Sequence, residues 1–156
     1  MLFEYGTRLS FRACARKAVG VSFVTCFSLD RVRSARINNE VEYRESAIDF
    51  NHYFDDIVGV THPQDGVVEE VVVEGDSWAE YYLRTLPIHP LQQLESLGEE
   101  GCRVTMRLMV NRELEREILS YGEHLRVKAP EHFRQRIILL HKTLSEASDD
   151  SAEKVL

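Results

Sequence analysis

Two hydrophobic periods divide this chain, and its fold must satisfy both. Along Arg8–Arg16, Leu9, Phe11, Ala13 and Ala15 alternate with Arg8, Ser10, Arg12, Cys14 and Arg16. Successive side chains of a strand face opposite ways, so this alternation reads as a half-buried strand with its polar row outward. Residues 17–20 read as a turn. Val21, Phe23, Thr25, Phe27 and Leu29 then alternate against Ser22, Val24, Cys26, Ser28 and Asp30, which predicts a second strand paired with the first as a hairpin. Residues 38–46, NNEVEYRES, are polar and loop-like. At 49–58 the period changes. Phe50, Tyr53, Phe54, Ile57 and Val58 fall at helical spacing and predict a short amphipathic helix, stopped at Gly59. Pro63 and Asp65-Gly66 mark a linker.

Beyond the linker, strand and helix signals alternate. Residues 67–74 read as a strand. Ser77 and Glu80 are spaced as a capping box for a helix with Trp78, Tyr82 and Leu86 on one face, ended by Pro87. Residues 89–97 and 102–110 read as two strands joined by a turn at 98–101. Asn111 is placed to cap a helix carrying Leu114, Ile118 and Tyr121, and Gly122 ends it. Leu125 to Val127 is a short strand. Pro130 stands where a first helical turn tolerates it, and Phe133, Ile137, Leu140 and Leu144 mark a last helix. The tail from Ser148 is expected to fray. The order βαββαβα suits a ferredoxin-like split βαβ sheet with one added helix.

Charge divides the chain in a similar place. The first 36 residues hold seven Lys/Arg against two acids, net +5, which leaves −12 for the rest of a chain of net charge −7. A basic β portion on an acidic α/β body suggests one part that meets anions and one that does not. The overall acidity argues against binding nucleic acid over the whole surface, but not against a local basic face. With 44% hydrophobic and 29% charged residues the composition is that of a folded globular protein. The apolar runs fall far short of a membrane span, and no signal peptide is read. Three cysteines, Cys14, Cys26 and Cys102, without a CxxC pair imply neither a disulfide framework nor a zinc site, so a reducing cytoplasm is expected.

FSLDRV at 27–32 resembles a strand of WYL-domain proteins that reads roughly Phe-x-Leu-Asp-Arg-Ile. TLPIHPLQQ at 85–93 and ILSYGEHLRVKAPEHFR at 118–134 resemble the C-terminal extension of that family, the WCX domain. LFEYGTRLSF at 2–11 is similar to the segment leading into the Trp-Tyr-Leu signature, whose positions fall on Leu9, Ser10 and Phe11. The resemblance implies the C-terminal part of a bacterial transcriptional regulator. It implies a partial SH3/Sm-like β-barrel at 1–46, a bridging helix and linker at 47–66, the extension at 67–147 and a tail at 148–156. The helix-turn-helix and the first barrel strands of such regulators are expected to be missing. The signature Trp and Tyr are replaced here, and Thr25 and Ser28 stand where the family often places arginine. The implied functions are ligand sensing, with a nucleotide or single-stranded nucleic acid as ligand, and formation of a homodimer or of a pair with a WYL-family relative.

Arg8, Arg12 and Arg16 recur every four residues, about 13 Å apart at about 3.3 Å per residue. Guanidinium forks donate two parallel hydrogen bonds to phosphate, so such a row can track a nucleic-acid backbone. It can equally be a solvated face, or a guard on an exposed sheet edge. Arg31 follows the apolar parity of 21–29 and is expected to point inward, where it needs an acid partner such as Asp30 or lines a pocket mouth. Phe11, Phe23 and Phe27 offer stacking surfaces for bases or simply core volume. Ser10, at the place of the signature Tyr, is a candidate hydrogen-bonding group. The candidate ligand site is thus Arg8, Ser10, Arg12, Arg16, Phe27 and Arg31. Histidines with metal spacing, phosphate-binding glycine loops and a base for a cysteine nucleophile are not found, so no enzyme, metal or cofactor is expected.

Overall fold

The computed structural model describes residues 2–5, 8–16, 22–28, 31–37, 39, 40, 42, 49 and 52–152, with side chains described from residue 31 to 146. The chain is α+β, and its contacts divide it into two units, Met1–Phe54 and Asp55–Leu156.

In the first unit, β1 (Leu2–Tyr5), β2 (Arg8–Arg16) and β3 (Ser22–Ser28) form an antiparallel sheet in that order. The expected β2–β3 hairpin is present, with Phe11 opposite Phe27 and Arg16 opposite Ser22. Strand β1, which was not expected, adds on the other side of β2, with Leu2 opposite Phe11 and Tyr5 opposite Arg8. It is short, and Gly6-Thr7 follows it, so its alternation is too brief to register as a period.

The second unit is built on a four-stranded sheet of order β5-β6-β4-β7, every neighbouring pair antiparallel. Its strands are β4 (Val68–Gly75), β5 (Gln93–Ser96), β6 (Cys102–Met109) and β7 (Leu125–Ala129), and its helices α1 (Ser77–Thr85), α2 (Arg112–Ser120) and α3 (Glu131–Ala152). In β6 alternation settles the faces: Cys102, Val104, Met106 and Leu108 are buried while Arg103 and Arg107 are exposed. The core joins that row to Val71 and Val73 of β4, Leu125 and Val127 of β7, Ala79 and Leu83 of α1, Leu114 and Ile118 of α2, and Phe133 and Ile137 of α3.

Several expectations yield here to tertiary packing. Of the helix expected at 49–58, the described residues from 52 onward form turns and bends rather than helix, and Phe50 and Asn51 lie outside the described residues. Met109 N–H donates to Asp56 O at 2.7 Å, and the Asn111 side chain donates to Val58 O at 2.8 Å. Ile57 and Val58 are buried without helical geometry. In α1 the cap is Asp76 rather than Ser77, its Oδ1 accepting from Ala79 N–H at 3.0 Å. The buried stripe is Ala79 and Leu83, while Trp78, Tyr82 and Leu86 are exposed. Alanine is the side chain that fits here, since a Cβ on neighbouring Gly75 would come within 2.7 Å of Ala79 Cβ. The strand expected at 89–97 shrinks to β5. Gln92 folds the segment before it into a turn, accepting from Ile88 N–H and donating to Leu83 O. At the other end, α3 stays helical through Ala152, where fraying was expected from Ser148, and Leu144 is exposed rather than part of the core stripe.

Candidate functional site

The backbone places Arg8, Ser10, Arg12 and Arg16 at alternate positions of β2. Phe27, on β3, pairs opposite Phe11 and so shares the alternation of Leu9 and Phe11, not that of the arginines. Arg31 differs from expectation. Residue 31 is not in a strand, so strand parity does not orient it, and Arg31 is exposed, as are Val32, Arg33 and Arg36. An exposed guanidinium needs no buried acid partner, and the reason for expecting one disappears.

The second unit carries features that the periodicity did not single out. A groove of about 620 Å³ runs beside β7 against α3, lined by Leu125, Arg126, Val127 and Lys128 of the strand and by Arg134, Ile137, Ile138 and His141 of the helix. Lys128 Nζ pairs with Glu74 at 2.8 Å, and Arg103 pairs with the same carboxylate at 2.8 Å, forming a short cross-strand ion ladder. These two cations, Lys128 first, hold the Glu74 carboxyl below its ordinary range. Arg134 is engaged bidentately by Glu131. The signal that locates this groove lies in LRVKAP, where basic and apolar residues alternate over five positions on a strand short enough to pass as a mere connector.

A second cluster joins α1 to the turn before β7. His124 Nδ1 lies 2.7 Å from Asp76 Oδ2, and Asp76 N–H donates to His124 O at 3.1 Å. The Trp78 ring is tilted over His124 with centroids 4.4 Å apart, and Tyr82 lies 4.4 Å away as well. His124 and then the Ala79 N–H hold the Asp76 carboxyl below its usual value. Trp78, Tyr81, Tyr82, Leu86 and Leu91 are all exposed.

At the start of α2, Asn111 makes three hydrogen bonds. Its Oδ1 accepts from Leu114 N–H at 2.9 Å, and its Nδ2 donates to Val58 O and to Thr61 O. Beside it Glu113 accepts from the Thr61 hydroxyl at 2.6 Å, while its buried Oε2 has no hydrogen-bond partner among the described residues. Cys102 is free and fully buried, and burial pushes its thiol up, away from nucleophilic character. Among the described residues no group of three metal-ligating side chains converges, and no helix is long and apolar enough to cross a membrane.

No curated protein sequence matches the chain. The sequence model of the WCX domain matches residues 52–144, taking in all four strands of the second sheet, α1, α2 and most of α3. The chain therefore belongs to the WCX-domain family, the C-terminal extension that accompanies WYL domains.

Proposed function

We propose that this chain is the effector-sensing and dimerising portion of a bacterial WYL-family transcriptional regulator, and not an enzyme. The observation that carries the reading is the WCX match at 52–144 following an antiparallel β sheet that bears the arginine row and, on β3, the first two residues of the FSLDRV string, Phe27 and Ser28. On this reading β1 to β3 belong to an SH3/Sm-like barrel. The order β5-β6-β4-β7 with antiparallel neighbours supports the ferredoxin-like assignment of the extension. The ligand is anionic, a nucleotide or a single-stranded nucleic acid, and meets Arg8, Ser10, Arg12 and Arg16 on one alternation of β2, with Arg31 beside them in the sequence; Phe27, on the opposite alternation, drops out of this set. Guanidinium groups at regular intervals supply phosphate contacts. Binding regulates only if the ligand prefers one of two subunit arrangements, because equal affinity for both shifts nothing.

The test is anisotropy of a labelled single-stranded oligonucleotide across a salt series. Affinity that falls steeply with salt is expected from phosphate contacts. An Arg12→Glu, Arg31→Ala double variant is expected to lose binding while its circular dichroism is unchanged; unaltered affinity in that folded variant sinks the ligand site. A second reading, a ligand-free assembly module that pairs with its own copy or a WYL-family relative, draws support from the exposed aromatic residues of α1. Absence of oligonucleotide binding by a folded, dimeric protein selects it.

A further inference from the structure

Strand β7 ends its sheet: β4 flanks one side and, among the described residues, no strand flanks the other. In a strand, odd and even side chains occupy opposite faces. Yet the groove against α3 is lined both by Leu125 and Val127, which belong to the core face, and by Arg126 and Lys128 from the opposite face. A hollow that touches both faces of one strand runs along its open edge. The groove therefore combines unpaired strand backbone, an apolar wall from Ile137 and Ile138, and a set of basic groups, Arg126, Lys128, Arg134 and His141, with Glu123 the one acid. Lys128 is already engaged by Glu74 and Arg134 by Glu131. Arg126 forms no ion pair among the described residues.

Sheet edges are usually blunted, covered or used. Here α3 walls the groove without pairing to the strand, and the basic lining stands out on a unit whose residues 55–156 hold 20 Asp/Glu against 11 Lys/Arg, net −9. Self-pairing is disfavoured. A two-fold β7–β7 pairing centred on Val127 would set Arg126 of each copy against Lys128 of the other, and like charges directly opposite destabilise a sheet.

We propose that the β7–α3 groove binds an extended acidic segment of another protein, which adds as a strand to the β7 edge. Backbone hydrogen bonds to β7 supply affinity, apolar side chains at alternate positions rest on Ile137 and Ile138, and acidic ones meet Arg126. This surface is independent of the arginine row on β2, so either reading can fail without the other.

The probe is a fluorescein-labelled octapeptide alternating Glu and Val, titrated against the full chain and followed by anisotropy. Saturable binding is expected, with slowed amide exchange at 125–129. A Lys/Val peptide of the same pattern is expected not to bind. An Arg126→Glu or Ile138→Glu variant, both at exposed positions, is expected to lose about tenfold or more in affinity. N-methylation of alternate peptide amides removes the backbone bonds and is expected to abolish binding. No saturable binding, equal binding of the Lys/Val or N-methylated peptide, or full affinity in both folded variants overturns the proposal.

Discussion

Asn111 shows how much one side chain can secure. It closes the first turn of α2 and, with its amide nitrogen, holds the carbonyls of Val58 and Thr61. Replacing it with alanine removes a cap worth ~1 kcal/mol and strands two carbonyls, so a loss of about 2–4 kcal/mol is expected in urea unfolding. Asn111→Asp keeps the cap and forfeits the two donated bonds, so it is expected to fall between, which apportions the two roles. The cap was legible in the sequence because an Asn before an apolar helical period has one obvious local use. Its second use was not, since nothing in the spacing shows that residues some fifty positions earlier come within reach. Arg31 illustrates the converse: strand parity is informative only within a strand, and residue 31 is not in one. Acid sensitivity is also set by single residues. Glu131, held down to about 2 from 4.5 chiefly by Arg134, stabilises the fold at pH above its ordinary value and loses that contribution as pH falls from about 4.5 through about 2. Asp76, also held low, acts in the same direction. The Glu131 pair is solvent-exposed, so the effect is modest and salt-screened. Arg134→Gln is expected to narrow the difference in Tm between pH about 6 and about 2.5.

Among the elements, α3 and β6 were readable because their periods are long and their apolar residues are large. Phe133 is fully buried, and Phe133→Ala is expected to cost about 3–5 kcal/mol by thermal or chemical unfolding, loosening α3 from β7. The segment at 52–60 misled for a physical reason: apolar spacing announces burial, not the conformation that achieves it, and here Asp56 O and Val58 O are claimed by β6 and α2. The aromatic stripe of α1 misled in another way. Large rings at i, i+4 suggested the core face, but the close approach at Gly75 admits Ala79 and leaves Trp78 and Tyr82 outside. Gly101 is similarly bound by geometry. Its φ is +95°, and a Cβ there would lie 2.1 Å from Gly75 O, so Gly101→Ala is expected to unfold the β5–β6 corner, read as faster amide exchange across both strands.

For the whole molecule, the division at residue 54 matters most. The second unit has its own sheet, three helices and a continuous core reaching back to Val58. A fragment spanning 52–156 is therefore expected to unfold in one cooperative urea transition by circular dichroism; a gradual, non-cooperative loss of signal would show that the first unit is needed. The change of period and the family strings in the second half were specific enough to announce the WCX domain that the family match places at 52–144. The sequence concealed the β7 groove, because an open edge is a property of strand order, and strand order is not written locally.

The chain has a single tryptophan, Trp78, held with its ring tilted over His124 and against Tyr82 in the second unit. Native indole emission therefore belongs to that unit alone, without any label. Unfolding or a change at the junction of α1 with the turn before β7 alters its colour and intensity, whereas events confined to residues 1–54 reach it only if they propagate. Any effector of the β2 row that dims or shifts this one chromophore thereby reveals that the two units communicate.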